Sequence, residues 1–416
     1  MKTRTKLYWV TALYFAEGFP FGIVYDALPV FFRIHGIRLA EIGALSLRGL
    51  PWALKFLWAP AVDAWGRRRT WVIGCQICVT LSLLAMLTID PSRVSAGLWT
   101  VVLGLAFFAA TQDIAIDAYT IELLDEQEMG PANGVRVTAY RVALISAGGL
   151  LVALAGLIGW PLAFGGAAAL MGVSSLLSTR LPENPRPRAA VTSAVSGLET
   201  LKRAVWTPLQ QFFEVPGFPV VILFVLTFKL GEMALGPMVR PFWVDQHFTP
   251  VQIGAVPGTL GVVSTIVGAL MGGSLTARWG IFRALWLLGV AQAVSILVYA
   301  AAATLPPSTA LMYTASIVES FCGGLGTAPF MAFLMSICDK SHAATQYAVL
   351  SALFGLTRVV TGIVSGWATE LFGYATYFTL SFVLAWPALF LIPRVQAWSG
   401  ARAAAKNTSA TPDRIA

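Results

Sequence analysis

Two aspartates, Asp113 and Asp117, stand four residues apart in the stretch ATQDIAIDAYTIELL, with Glu122 further on. The stretch ends one of the most apolar parts of the chain. A spacing of four puts both carboxyls on one helical face. Two carboxylates on one face repel each other unless one takes a proton, which is the chemistry of a proton carrier. Nine further charges interrupt apolar runs: Glu17, Asp26, Arg48, Lys55, Arg141, Lys229, Glu232, Glu319 and Arg358. The arginines and Lys55 suit recognition of an anionic solute. Lys229 and Glu232, three apart, are placed to pair on one face.

These charges are costly where they stand. The 416 residues are 57% hydrophobic and 12% charged, with a mean hydropathy of +0.74. A soluble domain has about 45–50% apolar and about 25% charged residues. The chain therefore reads as a polytopic helical membrane protein. A charge at mid-bilayer costs at least about 2.5–3.5 kcal/mol on insertion scales. The eleven, six acidic and five basic, must then face the bundle interior and mostly pair. For any single pair the plainer alternative is a structural salt bridge that sets helix register. For the collection, the midplane is where carriers bind solutes and coupling ions.

The elements that position them are twelve apolar spans, near 8–32, 42–63, 71–89, 98–123, 133–156, 160–178, 218–240, 252–277, 284–304, 309–337, 345–369 and 372–393. The division of the fifth from the sixth is the least marked. Basic residues set the orientation. With the N-terminus inside, 19 of the 28 Lys and Arg fall on the inner side, four on the outer side (Arg33, Arg38, Arg93 and Arg240) and five inside spans. That bias places both termini in the cytoplasm. It also accounts for the net charge of +8 without nucleic acid, since no basic run interleaves with aromatics on a soluble element.

Depth follows at about 1.5 Å per residue. Asp117 lies roughly 9 Å above the inner boundary, Arg141 roughly 12 Å and Asp113 roughly 15 Å, with Lys55 at a similar level. Asp113, Asp117, Arg141 and Lys55 are expected to form one cluster. In YFAEGFPFG, Pro20 and the glycines predict a kinked first helix carrying Glu17 toward the cavity, or a kink that serves packing alone. The N-terminal apolar run resembles a signal peptide, but Glu17 interrupts it and no small-x-small cleavage site follows.

The domain pattern is six plus six: 1–178, a cytoplasmic linker 179–217, 218–393, and a tail 394–416. The linker opens Pro-rich and continues with Leu198, Leu201, Val205, Leu209 and Phe212 near helical spacing, an amphipathic element for the membrane face. The Ala-, Ser- and Thr-rich tail reads as disordered. The halves repeat weakly. EIGALSL echoes QIGAVPG, and aligning YRVALISAGG with TRVVTGIVSG sets Arg141 on Arg358, Gly149 on Gly366 and Glu122 on Asp339. Two related six-helix halves are the mark of a rocking transporter. The C-x-x-C of Cys75 and Cys78 lies inside a span with no second pair nearby, so it reads as packing rather than a zinc or redox site.

YFAEGFPFG, LPWALKFLWAPAVDAWGRRRTW, ATQDIAIDAYTIELL and GVRVTAYRVALISAGG together resemble the major facilitator superfamily, and within it the group of AmpG muropeptide permeases and acetyl-coenzyme A transporters. The resemblance implies an all-α fold of two six-helix bundles alternating access around a central cavity. It implies an inner-gate charge cluster of Asp63, Arg67, Arg68, Arg69 and Glu122. It also implies proton-driven import of anhydro-muropeptides across a bacterial cytoplasmic membrane. The basic cluster, Gln112, Tyr140 and aromatics such as Tyr14 and Trp52 would receive the fragment's carboxylates and hydroxyls. Siderophore importers, acyl-coenzyme A carriers and drug exporters of the same superfamily are the alternatives, and a membrane sensor a remote one. A transferase would need a nucleophile and base or metal ligands in reach of one another. His35, His247 and His342 lie in or beside loops, and G-x-x-x-x-G-K-[ST] is missing. No cofactor or metal is expected, and the chain reads as a monomer.

Overall fold

A computed structural model of the chain describes residues 1–64, 67–125, 128–182, 217–338 and 343–409. The side chain of Asp63, the amphipathic element of the linker, Asp339 and the last seven residues lie outside that description. Every regular element among the described residues is helical. Among the described residues, nine helices are long and apolar enough to cross a membrane. One of them, Leu353–Arg402, holds two rods, because the backbone turns at Gly373 (φ +76°). Two further rods, at 39–64 and Arg68–Ala85, bring the set to twelve.

In chain order these are α1 (Thr3–Ile34), α2 (39–64), α3 (Arg68–Ala85), α4 (Ala96–Leu123), α5 (129–158), α6 (Trp160–Ser178), α7 (Phe218–Asp245), α8 (Pro250–Trp279), α9 (Ile281–Thr304), α10 (Thr309–Ile337), α11 (343–372) and α12 (374–409). The end of the molecule where α1 begins is called the near face, and the end where α1 finishes the far face. Glycine makes three of the sharp joins: Gly159 between α5 and α6 (φ +88°), Gly280 between α8 and α9 (φ +80°), and Gly373 between α11 and α12. That backbone region is open only to glycine, so a single residue suffices to separate α5 from α6. Caps open other rods: Ser95 Oγ accepts from Leu98 N at 3.2 Å, and Thr249 Oγ1 from Gln252 N at 3.3 Å.

α2 is not one regular helix. Its α-helical turns are interrupted by 3₁₀ segments at Leu45–Gly49 and Lys55–Leu57, flanked by Pro51 and Pro60. α1 carries Pro20 and then a π-helical turn at Ile23–Ala27. Arg48, Lys55 and Tyr25 sit on these irregular turns, where local geometry departs from ideal helix and such departures mark functional sites.

The chain packs as two compact units. One holds α1 to α6 together with Gly236–Val263 and Val359–Gly373, and the other is built on Ser264–Arg358 with the start of α7 and with α12. The far-face stretches of α7, α8 and α11 thus pack with the first six helices. Glycines make this packing close. A Cβ on Gly43 would lie 2.8 Å from Gly366 N, and one on Gly254 2.8 Å from Ala153 N. Gly149 in turn meets the carbonyls of Gly254 and Gly258. The repeat seen in the sequence is therefore a packing repeat, with α2 against α11 and α8 against α5 through matched glycines, as expected where small residues let membrane helices approach.

In the first unit the core gathers Trp9, Leu13, Tyr14, Val72, Ile116 and Tyr119. In the second it gathers Phe218, Phe224, Phe228, Phe330, Phe333 and Trp398. Large apolar side chains left outside, such as Leu157, Leu176, Leu270 and Phe390, form the surface a bilayer covers. One expectation is corrected here. The segment from 394 read as disordered, yet α12 runs through Pro393 to Ser409. Val395 and Trp398 are buried, Trp398 lies 6.2 Å from the Phe218 ring, and Arg402 lies over Trp398. Packing and the helix propensity of ARAAAK outweigh the composition signal.

Candidate functional site

The acidic pair on α4 forms the centre of a charge group in the first unit. Lys55 Nζ stands 3.2 Å from Asp113 Oδ2, as their common depth predicts. Its 3₁₀ turn is held against α4 by Trp58, whose Nε1 donates to Thr111 Oγ1 at 3.1 Å. Glu17 on α1 is an electrostatic neighbour of the Asp113 carboxyl. One turn nearer the near face, Asp117 Oδ1 accepts from the Tyr14 hydroxyl at 2.6 Å. Arg136 Nη2 lies 3.4 Å from the same oxygen, and its guanidinium sits 4.7 Å over the Tyr14 ring. Glu17 is 6% exposed, and its Oε2 meets no hydrogen-bond donor among the described residues. Glu17, Asp113, Asp117, Lys55 and Arg136 are electrostatic neighbours, three carboxyls against two cations.

Arg136 replaces Arg141 in this group. Arg141 is half-buried and has no ion pair among the described residues. The reason is geometric. Five residues turn a helix by about 140° beyond one full turn, so only one of the two arginines faces α1 and α4. Arg136 starts lower, but a long side chain reaches upward along its apolar stem. Gln112 lies on α4 beside this group, and its Oε1 meets no donor among the described residues. It is fully buried and its Nε2 donates to Ala16 O at 2.8 Å, tying α4 to α1.

A second group lies toward the far face of the same unit. Arg48 is 4% exposed, and its Nε and Nη1 meet no acceptor among the described residues. Its guanidinium lies 5.7 Å from the Tyr25 ring centre. Phe21 joins Tyr25 (4.4 Å), Trp52 (5.2 Å) and Tyr140 (6.1 Å) in one aromatic cluster. Asp26, next to Tyr25, is engaged elsewhere: Arg240 Nη2 donates to its Oδ1 at 2.8 Å. Arg240 also reaches Pro257 O and is itself buried. The sequence sets Arg240 at the outer end of its span, and no local signal reveals a partner 214 residues away.

Ion pairs flank both ends. At the far face Arg33 pairs with Asp245 at 2.6 Å, and Arg38 with Glu370 at 2.9 Å. At the near face Arg68 Nε meets Glu122 Oε1 at 3.2 Å while its Nη1 donates to Val62 O. Arg69 donates to Thr179 O, and Arg67 is exposed. Lys6 bridges Asp125 and Glu128 at 2.7 and 2.6 Å, and Thr3 Oγ1 donates to Glu128. Those hydrogen bonds, Lys6 foremost, hold the Glu128 carboxyl at about 2.

The second unit carries its own pair. Lys229 Nζ donates to Glu232 at 2.6 Å, Gln292 Oε1 at 2.9 Å, Gly323 O at 3.0 Å and Thr327 Oγ1 at 2.7 Å. This 2%-exposed ammonium meets more acceptors than it has protons and so holds the unit together. Glu319 and Arg358 are half-buried in the same unit, with Ser320 Oγ 3.5 Å from Glu319.

Twelve apolar rods with paired charges inside them invite comparison with known carriers, and residues 10–305 match the family model of the Major Facilitator Superfamily. The chain belongs to the major facilitator superfamily. Within the superfamily it is 34% identical over 385 residues to the Anhydromuropeptide permease of Escherichia coli (strain K12), covering 91% of this chain and 77% of that protein. It is 29% identical to the Putative transporter AmpG 4 of Rickettsia felis (strain ATCC VR-1525 / URRWXCal2), covering 93% and 95%. Among solved structures, the nucleoside transporter NupG superposes with a TM-score of 0.72 at 18% identity, covering 96% of this chain and 99% of that one. The fold is that of the superfamily, all-α, with twelve transmembrane helices in two six-helix bundles, and the protein is a multi-pass membrane transporter of the AmpG group. Asp113, Asp117, Lys55 and Arg136 occupy its first bundle.

Proposed function

We propose that the chain imports an anhydromuropeptide, a bulky anionic solute, together with protons, by alternating access. The carrying observation is the group of three carboxyls against two cations at Glu17, Asp113 and Asp117. Charge balance there calls for one proton. Glu17, buried and without a cation of its own, and Asp113 beside it are the groups that share it. Lys55 holds Asp113 while the proton is present. Loss of the proton frees a second carboxylate to compete for Lys55, which couples proton release to a rearrangement between α1, α2 and α4. Tyr14 and Arg136 keep Asp117 in place.

The 34% identity to a named anhydromuropeptide permease supports the solute class over siderophores, acyl-coenzyme A and drugs. Arg33, Arg38 and Arg240, pairing across the far-face helix ends, serve as a gate that is shut in this conformation. Arg68 and Glu122 belong to the opposite gate. The sided distribution of Lys and Arg supports an orientation with both termini cytoplasmic.

The test is uptake of a radiolabelled anhydromuropeptide into proteoliposomes. An inward proton gradient is expected to drive accumulation, and Asp113→Asn to abolish it. Accumulation by Asp113→Asn that still dissipates the gradient would refute the coupling role.

A further inference from the structure

Arg48 is a buried guanidinium with two donors unspent. Nε and Nη1 meet no acceptor among the described residues, and the residue is 4% exposed. Burying such a group without an acceptor is strongly unfavourable, so a fold that keeps it has a use for it. The nearby carboxylate does not satisfy it, because Asp26 is held by Arg240 at 2.8 Å and that pair is neutral. Arg48 thus leaves one uncompensated positive charge beside Tyr25. Nε and Nη1 lie on different edges of the guanidinium, each shared with Nη2, and either edge is a fork that a carboxylate fits with both oxygens.

The surroundings add a second requirement. Phe21, Tyr25, Trp52 and Tyr140 form one cluster, with ring centres 4.4 to 6.1 Å from Phe21. All four are half-buried rather than sealed in the core. An aromatic face takes the apolar C–H face of a pyranose ring as readily as another aromatic. The irregular turns of α1 at Ile23–Ala27 and α2 at Leu45–Gly49 carry Tyr25 and Arg48 into this arrangement. Gly49 makes room for the Tyr25 side chain, since a Cβ there would lie 2.5 Å from the Tyr25 hydroxyl and 3.0 Å from Val359.

We infer that Arg48 and the Phe21–Tyr25–Trp52–Tyr140 cluster form the recognition subsite for an acidic saccharide, with Arg48 holding the carboxylate and the rings holding the sugar. The inference rests on the proposed solute class but not on the proton role of Glu17 and Asp113. The subsite shares no residue with that cluster and is read by binding, without a gradient.

The experiment measures equilibrium binding to purified full-length protein. The probes are a 1,6-anhydro-muramyl peptide with one free peptide carboxylate and the same muropeptide with that carboxylate as its primary amide. Wild type is expected to favour the acid. Arg48→Gln should weaken the acid on the order of 30-fold or more, the loss typical for one partner of a buried charged hydrogen bond, and leave the amide within about 3-fold. Trp52→Ala should weaken both probes alike. Arg48→Lys, which keeps the charge and loses the fork, should weaken the acid and not the amide, and it serves if Arg48→Gln does not fold. Equal binding of acid and amide by wild type would overturn the inference, as would equal loss of both in the Arg48 variants. Failure of proton coupling alone would leave this acid preference intact and remove only the gradient dependence of uptake.

Discussion

Closure of the far face should be sensitive to one methyl group at Gly43. A Cβ there would stand 2.8 Å from Gly366 N, 2.9 Å from Gly362 O and 2.9 Å from Gly366 Cα. Carbon contacts settle at about 3.5–4.0 Å, so α2 and α11 must part by roughly 0.6 Å or more. The obstructing atoms are backbone, and no rotamer change relieves them. Overpacking of this kind costs typically about 1–3 kcal/mol. Only the conformation with α2 against α11 bears the cost, because an open far face separates the two helices. The equilibrium should therefore move toward the open form by roughly 5- to 150-fold. Nitroxide labels on cysteines at Ile34 and Phe372, both exposed positions of that face, report the distance by pulsed electron resonance in a background without the native cysteines. Gly43→Ala is expected to raise the long-distance population, and Gly43→Val to raise it further. A melting temperature lowered by Gly43→Ala with an unchanged distance distribution would refute the reasoning, since the contact would then be static packing.

Three further outcomes follow from the geometry. Lys229→Met should destabilise the protein by about 3 kcal/mol, the scale for one member of a buried pair, and the added change Glu232→Gln should recover part of it, as thermal unfolding in detergent would report. Glu128, held at about 2 against an ordinary 4.5, should keep its bridge to Lys6 and Thr3 intact at pH 5. A depressed carboxyl stabilises the folded form above its unfolded value. That contribution should fade as pH falls from about 4.5 toward 2, seen as faster amide exchange at residues 3–6. Truncation after Pro393, or Trp398→Ala, should lower the melting temperature because it strips the packing around Phe218.

Much of this arrangement was legible in the residues themselves. Apolar length marked every rod, and the spacing of Lys229 and Glu232 and the common depth of Lys55 and Asp113 named two real pairs. Depth alone misplaced Arg141, because level does not specify which helical face a residue shares. Arg136 was hidden by its place near a helix end, where positive charge has an orienting role as well. Asp26 with Arg240 and Arg38 with Glu370 join positions more than 200 residues apart, and no local pattern encodes them. The irregular turns of α2 were signalled by Pro51 and Pro60, but their effect on Arg48 needed the neighbouring rings to be seen. The extension of α12 was hidden by a composition that suits an exposed tail equally well.

The central claim is that one proton is shared between Glu17 and Asp113 and moves with the solute. Its most direct measurement is substrate-evoked proton entry into proteoliposomes, read by an internal pH dye alongside labelled uptake. Wild type should acidify the lumen when an anhydromuropeptide is added. Glu17→Gln should retain exchange of labelled for unlabelled solute while losing both proton entry and accumulation. Full accumulation with undiminished proton entry in Glu17→Gln and in Asp113→Asn would contradict the account.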